Sequence, residues 1–318
     1  MIKKSTKPQG GVREKMGAIR EYTNHPWKQT TLLADKVKWE KLCASMDVVE
    51  DSQLAIESYF NLKEFNALKG GYLFLYGLLQ AFYLQQDAIN HLSQVLFNKK
   101  INFKEEYPAL YSTRELRNDA VGHPTDRNNE TSFHYISMGS ITKKGFTLAS
   151  FFPKQSGPKY NKIDLYKLKE QQELCVILIL DEVINMLGKE QKEHKKKFKN
   201  QKLKDLIPND PSYSIGKIYN GISSNYPLAK MNFNLIKKTY NNLKKGINER
   251  YGSCDALSGV GVVVEKIDYI LNKFTSWFDR NNIFGNKDAE IFLDTLNAQL
   301  KELYQMANEI DEEFSEEQ

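Results

Sequence analysis

The stretch Arg114-Glu-Leu-Arg-Asn-Asp-Ala-Val-Gly-His-Pro-Thr125 gathers the side chains best suited to chemistry in this 318-residue chain. Arg117 is a permanent cation whose planar fork matches two phosphate oxygens at once. His123 carries an imidazole that titrates near neutrality when unperturbed, so it can act as general base or general acid. Asn118, directly after the arginine, can hydrogen-bond an imidazole and fix its tautomer, or bind substrate. Such groups suit cleavage of an RNA phosphodiester without a metal. A 2′-hydroxyl must lose a proton, an anionic phosphorus centre must be stabilised, and a leaving oxygen must be protonated.

Local physics offers a competing account of the same residues. Gly122 stands where a C-terminal helix cap belongs and Pro124 where a helix stop belongs, and a histidine there interacts well with the helix dipole. Arg114 and Arg117 would then be surface cations. Capping explains every residue except the Arg-Asn dipeptide. Spacing alone does not decide, because Arg20/His25 and Arg127/His134 repeat an arginine with a histidine a few residues on. Context separates them. Arg20 is followed by Glu21 in a loose basic arm; Arg127 lies in a polar loop, and His134 falls in a predicted strand at a position expected on the surface. Only Arg117/His123 sits at the end of a helix that follows a long apolar one. In an unbroken helix the two residues would point about 120° apart. They converge only if the helix unwinds at Gly122 or a second subunit supplies the partner groups.

Arginine, a polar residue and then a histidine a short step later at a helix end resembles the signature of the HEPN superfamily, here Arg117, Asn118 and His123. The resemblance covers about residues 30–188. It implies an antiparallel helical bundle and a metal-independent endoribonuclease that uses no cofactor and leaves 2′,3′-cyclic phosphate ends. It further implies RNA as partner, a homodimer with one composite cleft, and a place in defence or toxin–antitoxin biology, with an antitoxin or regulatory protein as a further partner. His123 would be the acid or base, Arg117 the phosphate clamp and Asn118 the orienter. Arg114, Lys143, Lys144, Lys195, Lys196 and Lys197 are candidates to flank the RNA. The alternative, from another class, is a non-catalytic helical module that binds a protein or RNA partner.

Several elements must position this segment. Residues 1–28, with Gly10-Gly11 and Pro26, read as a flexible basic arm. Helical spacing starts at about Thr30, and Asp51 is a natural N-cap for a second helix burying Leu54, Ala55, Tyr59, Leu62 and Phe65. Gly70-Gly71 breaks the chain before a long helix from Tyr72 to about Phe97. Pro108 suits the first turn of the next helix, which runs to about Val121. Residues 131–152 are rich in β-branched and aromatic side chains around a turn at Lys143-Lys144-Gly145, which predicts a β-hairpin. A loop with Pro153, Gly157 and Pro158 leads to a helix capped by Asp164 that runs into the lysine-rich stretch. Pro208, Pro211 and Gly216 suggest a boundary near 200–215, followed by helices at roughly 228–250, 256–280 and 287–310. The expected fold is all-α with one inserted hairpin: an arm at 1–28, a HEPN-like bundle at 29–200, and a C-terminal helical domain at 201–318.

Composition narrows the remaining classes. The three cysteines lie far apart with no C-x-x-C pair, which suits a reducing compartment such as the cytoplasm. The basic start lacks the apolar run of a secretory signal. Tyr72–Leu84 is broken only by Gly77 and Gln80 and then meets Gln85, Gln86 and Asp87, too short for a membrane span. Net charge is +5, with eight lysines in residues 189–204 and six acids in the last ten. The lysine run fits either a polyanion partner or a solvated helix end. Gly259-Val-Gly261 lacks a third glycine and a preceding strand, and His25, His91 and His194 have no companions at metal-ligand spacing.

Overall fold

The computed structural model describes residues 10–125, 132–207, 211–224 and 226–315. Its helices in chain order are α1 (Val12–Asn24), α2 (Pro26–Leu33), α3 (Lys36–Asn61), α4 (Tyr72–Phe97), α5 (Phe103–Glu106) and α6 (Pro108–Arg117), then α7 (Leu165–Phe198), α8 (Pro211–Ser224), α9 (Tyr226–Tyr251), α10 (Ser258–Asp279) and α11 (Lys287–Ser315). Between α6 and α7 lie β1 (Phe133–Ile136), β2 (Gly145–Phe151) and β3 (Lys159–Asp164), paired antiparallel in that order. The fold is therefore mostly helical with one small sheet. Contacts group the chain into two units, Met1–Tyr22 with Asp35–Leu187, and Thr23–Ala34 with Gly188–Gln318.

In the first unit α3 and α4 pack side by side, joined by a turn in which Gly70 takes φ 103° and Asn66 Oδ1 accepts from the backbone of Leu68 and Lys69. The Gly70-Gly71 break thus falls where glycine alone is at ease. Ile56, Leu78, Leu79 and Phe82 meet Ile136, Phe146 and Leu148 of the sheet in one core. At roughly 1.5–3 kcal/mol for each large apolar side chain removed from water, this contact holds sheet to helices. A chain of buried glutamines crosses it. Gln85 donates to Gln53, Gln172 to Gln85 and to the Phe82 carbonyl, and Gln86 to Gln172, at 2.8–3.2 Å.

Three expectations change here. No second helix starts at Asp51: α3 is continuous, its N-cap is Asp35, and Asp51 is an exposed interior residue. Leu42, Met46, Val49, Gln53 and Ile56 continue one buried face through that point, so burial outweighs the weak helix preference of one aspartate. Residues 12–24 are not a loose arm, because Val12, Met16 and Ile19 repeat at helical spacing and are buried. Arg20 pairs with Asp47 and Glu50, and Lys15 with Asp181, within the same unit; residues 1–9 of that arm lie outside the described residues. The hairpin between β1 and β2 gains a third strand where a loop was expected. At the other end α7 begins under Asp164 as predicted, its Oδ1 accepting from Tyr166 and Lys167.

The second unit packs α8, α9, α10 and α11 around Phe233, Tyr240, Ile267, Phe274 and Leu300. Pro211 opens α8, an element the sequence reading left in the boundary region. Residues 23–34 belong here, not to an arm or to the first bundle, because Trp27 stacks on His194 at 4.1 Å and packs against this core. His25 meets Glu313 at 3.1 Å, and Tyr251 donates to the same carboxylate at 2.6 Å. Lys28 pairs with Glu190. Among the described residues no helix is long and apolar enough to cross a membrane.

Candidate active site

Helices α4 and α6 position the site. Gln80, Tyr83 and Asp87 fall at i, i+3 and i+7 on one side of α4, while Arg114 and Arg117 share a side of α6. The arginines meet that row in antiparallel order. Arg114 pairs with Asp87 at 2.8 Å, and Arg117 donates from Nε at 3.0 Å and Nη2 at 2.7 Å to Gln80 Oε1. The Tyr83 ring is shared, with Arg114 at 4.1 Å and Arg117 at 4.6 Å from its centroid. A guanidinium held by a fork, a neutral oxygen and an aromatic face has few conformations left to lose on binding an anion.

Beyond Arg117 the helix widens. Residues Asn118–Gly122 form a π turn closed by His123 N–H donating to the Asn118 carbonyl at 2.8 Å. The predicted unwinding at Gly122 is thus a widened turn that starts at Asn118 and ends at His123, whose φ of −138° and ψ of 53° leave the helix. Such turns insert one extra residue and recur at functional sites. Ala120, inside it, is anchored in the core. The widening lays Gly122 against the arginine: a Cβ there would stand 2.7 Å from Arg117 Nη1 and 3.5 Å from Asn118 Oδ1. A side chain at the residue before His123 would therefore meet the guanidinium, and glycine leaves it in place.

Asn118 takes a different role from the expected one. Its Oδ1 accepts from Arg117 Nη1 at 3.1 Å, so it fixes the arginine, not an imidazole. Three of the five N–H groups of Arg117 are then engaged, and the two remaining ones sit on Nη1 and Nη2. One N–H on each terminal nitrogen is thus left for an anion. The exposed ring of His123 makes no hydrogen bond to a described residue.

His134 is not a surface residue. Its ring is buried between Ser150, 2.9 Å from Nδ1, and Ser132, 3.0 Å from Nε2, with Asp119 at 3.7 Å. Its backbone N–H donates to the Pro124 carbonyl at 2.7 Å. One residue thus braces the segment on both sides of His123, at Asp119 within the π turn and at Pro124 after it.

The other candidates divide. Arg114 borders an open groove with Lys100, Asn102, Phe103, Lys104 and Tyr111, and its buried Nη1 has no partner among the described residues. Lys143 is committed elsewhere: its ammonium donates to the Leu62 carbonyl at the end of α3. Lys144 is exposed in the β1–β2 connection. Lys195, Lys196 and Lys197 form the last turn of α7 in the second unit, where cations suit the negative end of the helix dipole. Of the decoys, Arg20 and His25 serve the ion pairs given above, and Arg127 lies outside the described residues. Among the described residues no group of three His, Cys, Asp or Glu side chains could hold a metal ion.

Sequence reading missed Gln80, Tyr83 and the bracing role of His134. Gln80 left a trace, since it is a lone polar side chain in the apolar run from Tyr72 to Leu84. Against known proteins, the chain matches no family model, no curated protein and no solved structure.

Proposed function

We propose that this protein is a metal-independent endoribonuclease of HEPN type, working in defence or toxin–antitoxin biology. The observation that carries the reading is the half-engaged guanidinium of Arg117, set so close to Gly122 that a Cβ there would meet it, one residue before an exposed His123. Arg117 keeps two N–H groups unengaged among the described residues, and the exposed ring of His123 hydrogen-bonds none of them.

In the proposed reaction the ribose 2′-oxygen attacks phosphorus and the bond to the 5′-oxygen breaks, leaving a 2′,3′-cyclic phosphate and a 5′-hydroxyl. Arg117 would neutralise the non-bridging oxygens as charge builds. His123 would take the 2′ proton or deliver one to the departing oxygen. The other proton transfer calls for a second group, which a homodimer would supply as a second copy of His123. An antitoxin or regulatory protein would then act by covering this cleft.

The test compares wild type with His123→Ala on RNA in EDTA. Loss of cleavage, with cyclic-phosphate products from wild type alone, is the expected result. Equal cleavage by both, or none by either under any condition tried, overturns the reading. A second reading draws on the same arginine: Gln80, Asn118 and Tyr83 satisfy much of Arg117, as in a structural brace, which favours a non-catalytic module that binds a protein or RNA partner. Under that reading Arg117→Ala lowers stability and His123→Ala changes nothing.

A further inference from the structure

The outward face of the sheet has no part in the chemistry above. The register sets Phe133 opposite Phe151, Tyr135 opposite Ala149, and Ala149 opposite Tyr160, so these side chains share one face with Lys162, which stands opposite Thr147. The other face, with Ile136, Phe146 and Leu148, is packed into the core. A solvated sheet face is ordinarily polar. This one is aromatic. Phe133, Tyr135, Phe151 and Tyr160 keep 37%, 45%, 38% and 59% of their surface exposed.

The rings form a layer. Tyr135 stacks on Phe151 with centroids 5.9 Å apart, and both Tyr135 and Tyr160 stand opposite Ala149. Ala149, between those two tyrosines, is wholly buried. Charge on this face favours an anion: Lys162 is exposed, while the single acid of the three strands, Asp164, is spent capping α7. Strand β1, which carries two of these rings, also adjoins the candidate active site through its backbone. Phe133 and Tyr135 flank His134, whose backbone holds the Pro124 carbonyl next to His123.

We propose that this face is a stacking platform for the bases of single-stranded RNA, leading the strand to the Arg117/His123 segment. It rests on the nuclease reading for the identity of its ligand, but binding can be tested without catalysis. Exposed rings on a rigid sheet accept any base by its π-face, and a neighbouring lysine neutralises phosphate between bases.

The experiment uses the full chain carrying His123→Ala, in EDTA, and a fluorescein-labelled 12-nucleotide oligouridine followed by anisotropy. Tyr160→Ala and Tyr135→Ala are each expected to weaken binding roughly tenfold to a hundredfold, and Tyr160→Phe less than threefold. Lys162→Glu is expected to weaken it and to flatten the salt dependence, and it decides the matter should either alanine variant fail to fold. Affinity unchanged in Tyr135→Ala/Tyr160→Ala overturns the platform, as does a His123→Ala parent chain that binds no oligonucleotide. The two readings fail separately. Ring-dependent binding without His123-dependent cleavage sinks the nuclease alone. Cleavage that depends on His123 with ring-independent affinity sinks the platform alone.

Discussion

Gly122→Ala separates function from stability at a single methyl group. The new Cβ would stand 2.7 Å from Arg117 Nη1, well inside van der Waals contact, whereas the atom it meets is the far end of a flexible side chain. The guanidinium therefore swings away. It gives up two hydrogen bonds to Gln80, one to Asn118 and its place on Tyr83. Each such bond contributes about 1 kcal/mol net, and water replaces part of that for a half-exposed group. Replacing glycine within a helical turn returns roughly 0.5–1 kcal/mol, because the unfolded chain has less freedom to lose. The balance is a destabilisation of about 1–2 kcal/mol, seen by urea or thermal melts followed by circular dichroism. Cleavage should suffer far more. A phosphate clamp displaced by about 1 Å costs on the order of a hundredfold in rate, and relieving the 2.7 Å contact needs a shift of that order. Single-turnover cleavage of a labelled RNA in EDTA would measure it. If Gly122→Ala cleaves at the wild-type rate while Arg117→Ala is inactive, the guanidinium position seen here is not the working one, and the argument from the π turn collapses.

Other expectations can be checked alongside. Gln172→Leu strands the Gln86 amide and the Gln85 carbonyl oxygen in the core, so it should cost roughly 2–4 kcal/mol in a urea titration; a loss below 1 kcal/mol would mean that water enters there. His123→Ala should leave the melting temperature within about 1 °C, since the ring is exposed and bonds no described residue; a large drop would assign it a structural role. His194 has its pKa lowered from the ordinary 6.5, first by burial, with Lys197 and His25 adding to it against the hydrogen bond with the Arg250 carbonyl. Because the folded value is depressed, stability is full above about pH 6.5 and is lost as pH falls from there through the folded value. Thermal melts should thus show the C-terminal unit weaker at pH 5.5 than at 7.5, with His194→Gln flattening that trend; an unaltered pH slope in the variant would exonerate His194. Glu313 acts in a lower window: burial raises its pKa, but hydrogen bonds from His25 and Tyr251 outweigh it and hold the value below the ordinary 4.5, so its share is lost only in more acid solution.

Much of the framework was legible because single residues force local outcomes. Gly70-Gly71, Pro108 and Asp164 mark element ends through backbone freedom, a missing donor and a capping oxygen, none of which needs a distant partner. What escaped depends on partners far away in sequence. Strand β3, Lys-Tyr-Asn-Lys-Ile-Asp, has no apolar alternation because it lies at the sheet edge and is mostly exposed on both faces. Asp51 looked like a start, yet the buried face of α3 runs through it. The Arg-Asn…His spacing singled out the candidate site, but not that Asn118 would serve Arg117 or that Gln80 and Tyr83 of another helix would hold it. Likewise Gln85 and Gln86, read as the polar end of an apolar run, are fully buried, since each glutamine finds another across the bundle.

The placement of residues 23–34 in the second unit has a consequence for how the chain is made. Those residues leave the ribosome early, but Tyr251, Glu313 and Phe314, which Trp27 and His25 must join, arrive some 280 residues later at most. At ordinary rates of synthesis the wait is roughly 15 to 60 seconds. During it Trp27 lacks the core it packs against, and a nascent chain stalled or cut before α11 would carry that segment uncovered. A chaperone that shields this segment would raise the yield of folded protein, and a slow codon run that lengthens the delay would lower it.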